Sequence, residues 1–314
     1  MFKQIDPKEC FQKRHSITFE DKIKYCQEKA LYQMAYPVDL QSPKSLNEKI
    51  IWLALNYHNP EIKTASDKIT SKEWIASRIG PEYVVPLIAT FDRAEDFLSA
   101  FDSLPQSFVV KSNCGWAAKT VKLVPDKSQV DLPSLAAELD QWLQPWNNYY
   151  YHNMCIGQED ITPRLLVEEL LGEAAGAGEA KGGGCGEAAF TQRQTIRDYK
   201  LFVMNGKAQF FYVVDDRLKE SQTKTFLDLG WNILPCHRFD VPAARVIKKP
   251  PCTDEMIRVG ETLSQGFPLV RVDFYYVDGQ LYVGEMTFTP GMFLSIEPRQ
   301  WDYTLGELLD ISMI

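Results

Sequence analysis

The spacing of apolar side chains divides the chain into a helical front and a strand-rich back half. Residues 1 to about 64 carry spaced apolar positions and no hairpin signal. Within them, 46–53 forms an amphipathic pattern that Ser45 or Asn47 can cap. Comparable patterns predict further helices over 67–79, 132–143 and 254–264.

Runs of β-branched and aromatic residues predict strands through most of the remaining chain. They cover 83–87, 108–111, 120–124, 164–171, 198–204, 207–214, 269–276 and 281–288. Asn205-Gly206 and Asp278-Gly279 lie between paired runs and predict hairpin turns. Residues 172–189 are mostly Gly, Ala and Glu and predict a flexible insertion, because they offer too little apolar bulk to pack. The predicted fold class is therefore α+β.

The charge balance narrows the classes of partner. The formal net charge is −8, and the composition is that of an ordinary globular enzyme, with 45% hydrophobic and 24% charged residues. A general nucleic-acid binder would carry a basic excess, so that class is disfavoured. An anionic ligand stays compatible, because a basic pocket can lie in an acidic surface.

The cysteine pattern and the hydropathy of the chain predict the cellular compartment. Seven cysteines form no CxxC pair, so neither a disulfide framework nor a zinc site is predicted. No apolar stretch reaches the roughly 18 residues of a membrane span. The first twenty residues carry charges throughout and lack an apolar signal region. We expect reduced thiols in a cytoplasmic protein without a transmembrane segment.

The last predicted hairpin carries the most informative chemistry. Arg271 and Asp273 share one face of its first strand, and Glu285 and Thr287 share one face of its second. Pairing of the strands brings an arginine, two carboxylates and a hydroxyl together. Two carboxylates with spare oxygens suit Mg²⁺, and an adjacent arginine suits a phosphoryl group. A solvated hairpin face with a salt bridge is the alternative.

Lysines beside a loop form a second candidate group. Lys111 ends the strand 108–111 and precedes a loop that contains Gly115, so its ammonium and the loop amides could bind a phosphate. Lys68 lies at the start of a predicted helix. Simple surface exposure is the alternative for both lysines.

Carboxylates on two further strands complete the candidates. Glu168 and Glu169 lie on a strand whose edge could pair with an adenine ring, or they could simply protect that edge from aggregation. Asp198 and Lys200 point to the same side of their strand. They could hold a ribose and a phosphate, or form an exposed ion pair.

The order of these groups resembles the ATP-grasp superfamily. The final hairpin is similar to that of the D-alanine–D-alanine ligases, in which Arg-x-Asp is followed by Glu-x-Asn and Ser-Pro-Gly. From Leu46 to its end, the chain resembles the TupA-like ATP-grasp family. The matching features are Leu46-Asn-Glu-Lys-Ile, Asp67-Lys68, Asp198-Tyr-Lys200, Gly266-Phe-Pro-Leu-Val-Arg-Val-Asp273, Gly284-Glu-Met-Thr-Phe-Thr-Pro290 and Trp301-Asp-Tyr303.

The resemblance implies an ATP-grasp fold that holds ATP between two α+β subdomains. It implies that Lys68 and Lys111 contact the ATP phosphates. Glu168 would accept from the adenine amine, with backbone groups of Glu169 and Leu171 on the ring. The regions implied are a helical front at 1–64, a first subdomain at 65–165 and a second at 166–314.

The same resemblance implies the remaining site residues. Asp198 would hold the ribose and Lys200 a phosphate. Arg271 and Lys111 would be catalytic, with Arg271 stabilising the transferring phosphate. The implied Mg²⁺ ligands are Asp273, Glu285 and Thr287.

The implied activity is an ATP- and Mg²⁺-dependent ligase that joins a carboxylate to an amine through an acyl phosphate. The implied substrates are a small-molecule or saccharide carboxylate and an amine, in the synthesis of a bacterial surface polysaccharide such as capsule, O-antigen or teichuronopeptide. The assembly machinery of such polymers is an implied partner. A kinase on the same scaffold, a glycosyltransferase and a non-catalytic binding protein are the alternatives.

The phosphate loop departs from the pattern of the family. Residues 114–119 hold one glycine, whereas this loop is usually rich in Gly and Ser. Non-glycine residues have fewer backbone conformations with which to wrap a triphosphate. Lys119 could compensate, and Arg217 is a further candidate anion ligand.

Overall fold

The computed structural model describes residues 6–116, 119–148, 150–151, 161–172, 196–215, 221–312 and 314. Of the predicted insertion at 172–189, only Gly172 belongs to these residues. Arg217 and positions 117–118 of the phosphate loop lie outside them. Every helix in this part of the chain is too short or too polar to span a bilayer.

Helices build the front of the chain, as the apolar spacing predicts. They are α1 (Pro7–Lys13), α2 (Phe19–Met34), α3 (Leu46–Asn56), α4 (Glu61–Ser66) and α5 (Thr70–Ile79). Thr18 and Ser45 each accept a hydrogen bond from the amide three residues on, where an acidic side chain bonds back. These reciprocal bonds form capping boxes that fix where α2 and α3 begin.

A four-stranded antiparallel sheet follows, with the strand order β1-β4-β2-β3. Its strands are β1 (Leu87–Phe91), β2 (Phe108–Ser112), β3 (Val121–Val124) and β4 (Leu165–Glu168). Helices α6 (Ala94–Ala100) and α7 (Leu132–Trp142) pack on it through an apolar core that includes Phe97, Phe108 and Leu139. Strand β4 spans the boundary predicted between residues 165 and 166.

The strand predicted over 83–87 is wrong. Pro81–Tyr83 form a turn of 3-10 helix, and β1 begins only at Leu87. Pro81 and Pro86 have no amide hydrogen to donate, which excludes a regular ladder over this segment.

The second sheet has five antiparallel strands in the order β10-β9-β5-β6-β7. Its strands are β5 (Asp198–Met204), β6 (Lys207–Asp215), β7 (Thr223–Asp228), β9 (Leu269–Val277) and β10 (Gln280–Thr287). Both predicted hairpins, β5–β6 and β9–β10, are confirmed. A short pair, β8 (His237–Arg238) and β11 (Ile296–Glu297), lies beside it.

The two faces of the five-stranded sheet have different neighbours. One face packs on α8 (Thr253–Leu263), where a Cβ at Gly260 would lie 2.6 Å from a methyl carbon of Leu201. The other face contributes Phe202 and Phe210 to a core shared with α2 and α3. Helix α9 (Gln300–Gly306) also joins that core, through Leu305. The mixed architecture confirms the predicted α+β class.

A register shift in β10 decides which of its side chains face α8. The shift occurs at Gly284, between two successive pairs of the ladder with β9. Before it, Leu281 and Val283 lie in the α8 core, and after it Met286 and Phe288 do. The extra residue is a β-bulge, which reverses the alternation of the strand.

Candidate functional site

The bulge turns Glu285 and Thr287 to the sheet face opposite α8. In the ladder, Glu285 pairs with Asp273 and Thr287 pairs with Arg271. On the next strand, Lys200 pairs with Asp273. The structure therefore brings together the four hairpin side chains that the sequence singled out. We use the name carboxylate cluster for five residues of this face: Asp198, Lys200, Arg271, Asp273 and Glu285.

Asp273 is the centre of the carboxylate cluster. Arg271 donates from Nε to Asp273 Oδ1 at 2.6 Å and from Nη2 to Oδ2 at 2.8 Å. Arg271 Nη2 also donates to Thr287 Oγ1 at 3.0 Å. Lys200 Nζ contacts Asp273 and lies 2.7 Å from Asp198 Oδ2. One carboxylate thus holds two cations while being only 2% exposed.

The cations keep Asp273 ionised despite its burial. Burial raises the pKa of the Asp273 carboxyl, and Arg271 and Lys200 more than offset this, so that its pKa is lowered. Burial likewise lowers the pKa of Arg271, and Asp273 more than offsets it, so that this pKa is raised. Each group therefore stays charged because of the other.

Glu285 lies at the open side of this cluster, with 33% of its side chain exposed. Lys68 Nζ lies 3.5 Å from Glu285 Oε1 and donates to the carbonyl oxygen of Gly115 at 2.8 Å. Desolvation raises the pKa of Glu285, and Lys68 with Arg271 and Lys200 more than offsets it, so that the pKa is lowered. Lys68 thus joins the five-stranded sheet to the loop after β2.

A second charged group lies at the four-stranded sheet and consists of Glu168, Lys111 and Lys72. We call it the lysine cluster. Glu168, at the end of β4, contacts Lys111 on β2. Its Oε1 atom lies 2.5 Å from Lys72 Nζ, and Lys72 also donates to the carbonyl of Val85 at 2.6 Å. Burial raises the pKa of Glu168, and the two lysines more than offset it, so that the pKa is lowered.

Asn113 holds the lysine-bearing segments in place. Its Nδ2 atom donates to Asp67 Oδ2 at 2.7 Å, and its Oδ1 atom accepts from the Arg164 amide at 2.8 Å. Its carbonyl accepts from the Lys68 amide at 3.0 Å. The end of β2, the start of β4 and the turn before α5 are therefore fixed to one buried side chain.

The loop after β2 is tightly closed where the structure describes it. A Cβ at Gly115 would lie 1.7 Å from Thr120 Oγ1, so any larger residue there would require Thr120 to move. The Lys119 ammonium lies 5.5 Å from the centre of the Trp116 ring. The single glycine of this loop is therefore needed for its close approach to Thr120.

The two other residues predicted to contact the adenine ring, Glu169 and Leu171, follow Glu168 in the chain. The Glu169 amide donates to the Pro86 carbonyl at 3.1 Å, so this amide is already engaged within the protein. Leu171 lies three residues beyond β4 and is partly buried. Their adenine-binding role stays a prediction.

Two residues of this region escaped sequence analysis. Lys72 lies four residues after Lys68, one helical turn away, and that spacing is the signal that could have found it. Asn113 lies directly after β2, where a polar residue reads as an ordinary loop position.

The donor set of the carboxylate cluster fits Mg²⁺. Asp273 and Glu285 are adjacent across the ladder, and Thr287 adds a neutral oxygen. Within the described residues, no group of three or more His, Cys, Asp and Glu side chains forms a complete metal cage. Mg²⁺ commonly uses one or two carboxylates and completes its shell with water and phosphate oxygens. A nucleotide triphosphate beside these carboxylates would supply those oxygens.

Comparison with protein families matches most of the chain. A family model described as TupA-like ATPgrasp matches residues 48–179 and 186–310. No functionally curated protein matches the chain in sequence.

Several solved structures are similar in fold. A D-alanine–D-alanine ligase from Bacillus anthracis is 18% identical, with a TM-score of 0.42, covering 73% of this chain and 58% of the ligase. The corresponding ligase from Helicobacter pylori is 15% identical, with a TM-score of 0.43, covering 78% and 61%. A D-cycloserine synthetase is 14% identical, with a TM-score of 0.41, covering 79% and 71%. The chain thus spans about three-fifths of the length of the two ligases.

Proposed function

Since the chain belongs to the TupA-like ATP-grasp family and has the ATP-grasp fold, we propose that it is an ATP- and Mg²⁺-dependent ligase that joins a carboxylate to an amine. The observation that carries this proposal is the pairing of two buried charged groups, the lysine cluster and the carboxylate cluster. One offers cations to phosphates and the other offers carboxylates to Mg²⁺, and Lys68 joins Glu285 to the loop that follows the strand of Lys111.

The lysine cluster, together with Lys68 and two residues of the carboxylate cluster, would bind the nucleotide. Lys111 and Lys68 would contact the phosphates, since Lys111 lies on the strand that leads into the loop after β2 and the Lys68 ammonium donates to the Gly115 carbonyl of that loop. Glu168 would accept a hydrogen bond from the adenine amine. Asp198 would hold the ribose and Lys200 a phosphate. These assignments rest on the family pattern together with the burial of both clusters.

The carboxylate cluster would hold Mg²⁺ through Asp273, Glu285 and Thr287. When bound, Mg²⁺ neutralises the triphosphate and favours phosphoryl transfer to a carboxylate. Arg271 is held beside these ligands by Asp273 and Thr287, so its guanidinium would lie close enough to stabilise the transferring phosphate. The overall reaction consumes ATP, a carboxylate and an amine, and releases ADP, phosphate and an amide.

For the substrates, we propose a uronic-acid carboxyl of a bacterial surface polysaccharide, or of its precursor, and an amino acid or small amine. The resemblance to TupA-like proteins supports this choice. A cytoplasmic location would fit a precursor that is modified before export.

Trapping of the activated carboxylate tests the reaction class. The protein is incubated with MgATP, hydroxylamine and candidate carboxylates, including UDP-glucuronate and free uronic acids. A ligase forms a hydroxamate and ADP, because hydroxylamine attacks an acyl phosphate. A kinase gives a stable phosphorylated acceptor and no hydroxamate. A glycosyltransferase releases UDP without consuming ATP, and either of these last results would overturn the proposal.

A further inference from the structure

Glu168 is shared by two lysines that come from different elements. Lys111 reaches it from β2, and Lys72 reaches it from the first turn of α5. These are the charged groups that face the carboxylate, because the partner of Glu168 on β1 is Leu87 and its partner on β2 is Val109. The carboxylate is 4% exposed, so water contributes little to its solvation.

The two lysines are anchored differently. Lys111 lies on the strand that leads into the loop proposed for the phosphates, so a triphosphate competes with Glu168 for its ammonium. Lys72 is instead fixed by a second bond, to the Val85 carbonyl at 2.6 Å, although the two lysine side chains are equally exposed, at 13%. A nucleotide that draws Lys111 away therefore leaves Lys72 in contact with Glu168.

We propose that Lys72 is a positioning residue for nucleotide-base recognition: it stays on Glu168 when Lys111 turns to the phosphates, and it keeps that carboxylate ionised and aimed as an acceptor. This inference rests on the proposed function, because it assumes that Glu168 meets the base. Lys72 would thus help the protein to select a purine with a 6-amino group, although Lys72 is not one of the residues proposed to contact ATP.

The direction of the selectivity follows from the protonation of Glu168. An ionised carboxylate accepts from the adenine amine and repels the carbonyl oxygen that hypoxanthine carries at the same position. A buried carboxylate without a counter-ion takes up a proton and becomes a donor, which suits hypoxanthine instead. Removing Lys72 should therefore weaken adenine binding and relax discrimination against hypoxanthine.

Calorimetry with two non-hydrolysable triphosphates, one of adenosine and one of inosine, measures this selectivity at pH 7 with Mg²⁺ present. In Lys72→Met, we expect affinity for the adenosine analogue to fall about tenfold, as for loss of a charged hydrogen-bond partner, and the preference over inosine to fall by a similar factor. Lys72→Arg should restore most of the preference. The matched control is Lys63→Met, on the exposed side of α4, which should change neither value.

A second variant keeps the inference testable if Lys72→Met does not fold. Lys111→Met should lose affinity for both analogues yet keep the adenosine preference, because Lys72 still holds Glu168. An unchanged preference in folded Lys72→Met, or a lost preference in Lys111→Met, would overturn the inference. If the unaltered protein binds neither analogue, the proposed function itself fails, and that result is distinct from both.

Discussion

The lysine cluster and the carboxylate cluster solve the same physical problem with opposite charge balances. Each buries a carboxylate, Glu168 in one and Asp273 in the other, whose pKa is lowered because cations touch it. The lysine cluster has one carboxylate, Glu168, for two ammonium groups. The carboxylate cluster has three carboxylates and two cations of its own, Lys200 and Arg271, and Lys68 from outside the cluster lies 3.5 Å from Glu285. The lysine cluster therefore has an excess of cations that suits an anion, and the carboxylate cluster has an excess of carboxylates that suits a cation at the open side of Glu285.

A buried carboxyl outside both clusters shows that the cations, and not burial, lower these pKa values. Asp302 is fully buried, and it accepts from the Tyr36 hydroxyl at 2.6 Å and from the Asn47 amide at 3.0 Å. Burial raises its pKa, and these neutral donors offset the rise only in part. The pKa of Asp273 shifts in the opposite direction at nearly the same burial, so the partner determines the direction of the pKa shift of these two carboxyls.

The largest expected effect is that of Asp273→Asn, which removes the centre of the carboxylate cluster. Arg271 and Lys200 would lose their shared counter-ion, and we expect the free energy of unfolding to fall by about 3–5 kcal/mol. Mg²⁺ should no longer strengthen nucleotide binding. Urea denaturation and a Mg²⁺ titration measure the two effects.

Asp240→Asn is the matched control for that variant. Arg238 and Asp240 form the same two-bond pair, at 2.7 and 2.8 Å, but the Asp240 side chain is 37% exposed, against 3% for Asp273. Loss of an exposed pair should cost less than about 1 kcal/mol and leave Mg²⁺ dependence intact. Equal destabilisation in the two variants would contradict the importance of burial.

Lys111→Met should show that the lysine cluster binds the triphosphate independently of Mg²⁺, unlike the carboxylate cluster. Loss of a charged hydrogen-bond donor predicts triphosphate binding weaker by about ten- to hundredfold. The factor should be similar with and without Mg²⁺, because the lysine acts directly on phosphate. Lys122→Met removes an exposed lysine from neighbouring β3 and serves as the control. A loss confined to the Mg²⁺-containing titration would place Lys111 with the metal instead.

Gly284→Ala should disturb the bulge that aims Glu285. The added Cβ would lie 2.4 Å from a ring carbon of Tyr275, and such overpacking costs about 1–3 kcal/mol. We expect lower stability together with a weaker Mg²⁺ response, since the bulge sets the face on which Glu285 lies. Full Mg²⁺ response in a destabilised variant would show that the strand keeps its register without glycine.

The pH dependence of stability should distinguish the charged clusters from Asp302. The pKa values of Glu168, Asp273 and Glu285 are lowered, so their contribution is present above the ordinary carboxyl pKa and is lost as pH falls through the folded values. The pKa of Asp302 is raised, so its contribution declines as pH rises above that ordinary value. Urea midpoints should therefore fall steeply below about pH 4, and less steeply in Glu168→Gln. An equal acid slope in this variant would contradict the ionisation of Glu168.

The smallest expected effect is that of Thr287→Val. Arg271 would lose one hydrogen bond and Mg²⁺ one neutral ligand, which predicts Mg²⁺ affinity lower by about three- to tenfold. Thr287→Ser keeps the hydroxyl and should bind Mg²⁺ normally. A serine variant as weak as the valine variant would assign the effect to packing rather than to the hydroxyl.

Local patterns were sufficient to predict the hairpin but not its bulge. The Asp278-Gly279 turn and the alternation of β9 placed Arg271 beside Asp273, as observed. The sequence carries no direct sign that the register shifts at Gly284, because the close approach to the ring of Tyr275 on the neighbouring strand appears only when the strands pair. Alternation without the bulge would have pointed Glu285 toward α8.

The lysine cluster depends on contacts between distant segments. Glu168 and Lys72 lie on different elements, and their contact requires β4 to pair with β1 and β2 beside α5. No period within either segment encodes that pairing. Strand β7 and helix α6 were also not predicted, since Thr223–Asp228 and Ala94–Ala100 are short and carry many polar residues.

The most direct test is calorimetric binding of a non-hydrolysable ATP analogue to the unaltered protein, with and without Mg²⁺, against UDP-glucose and UDP-glucuronate as competitors. We predict binding of the ATP analogue that Mg²⁺ strengthens and that UDP-glucose does not displace. Failure of the ATP analogue to bind, with tight binding of a UDP-sugar at the same site, would contradict the assignment of both clusters to MgATP.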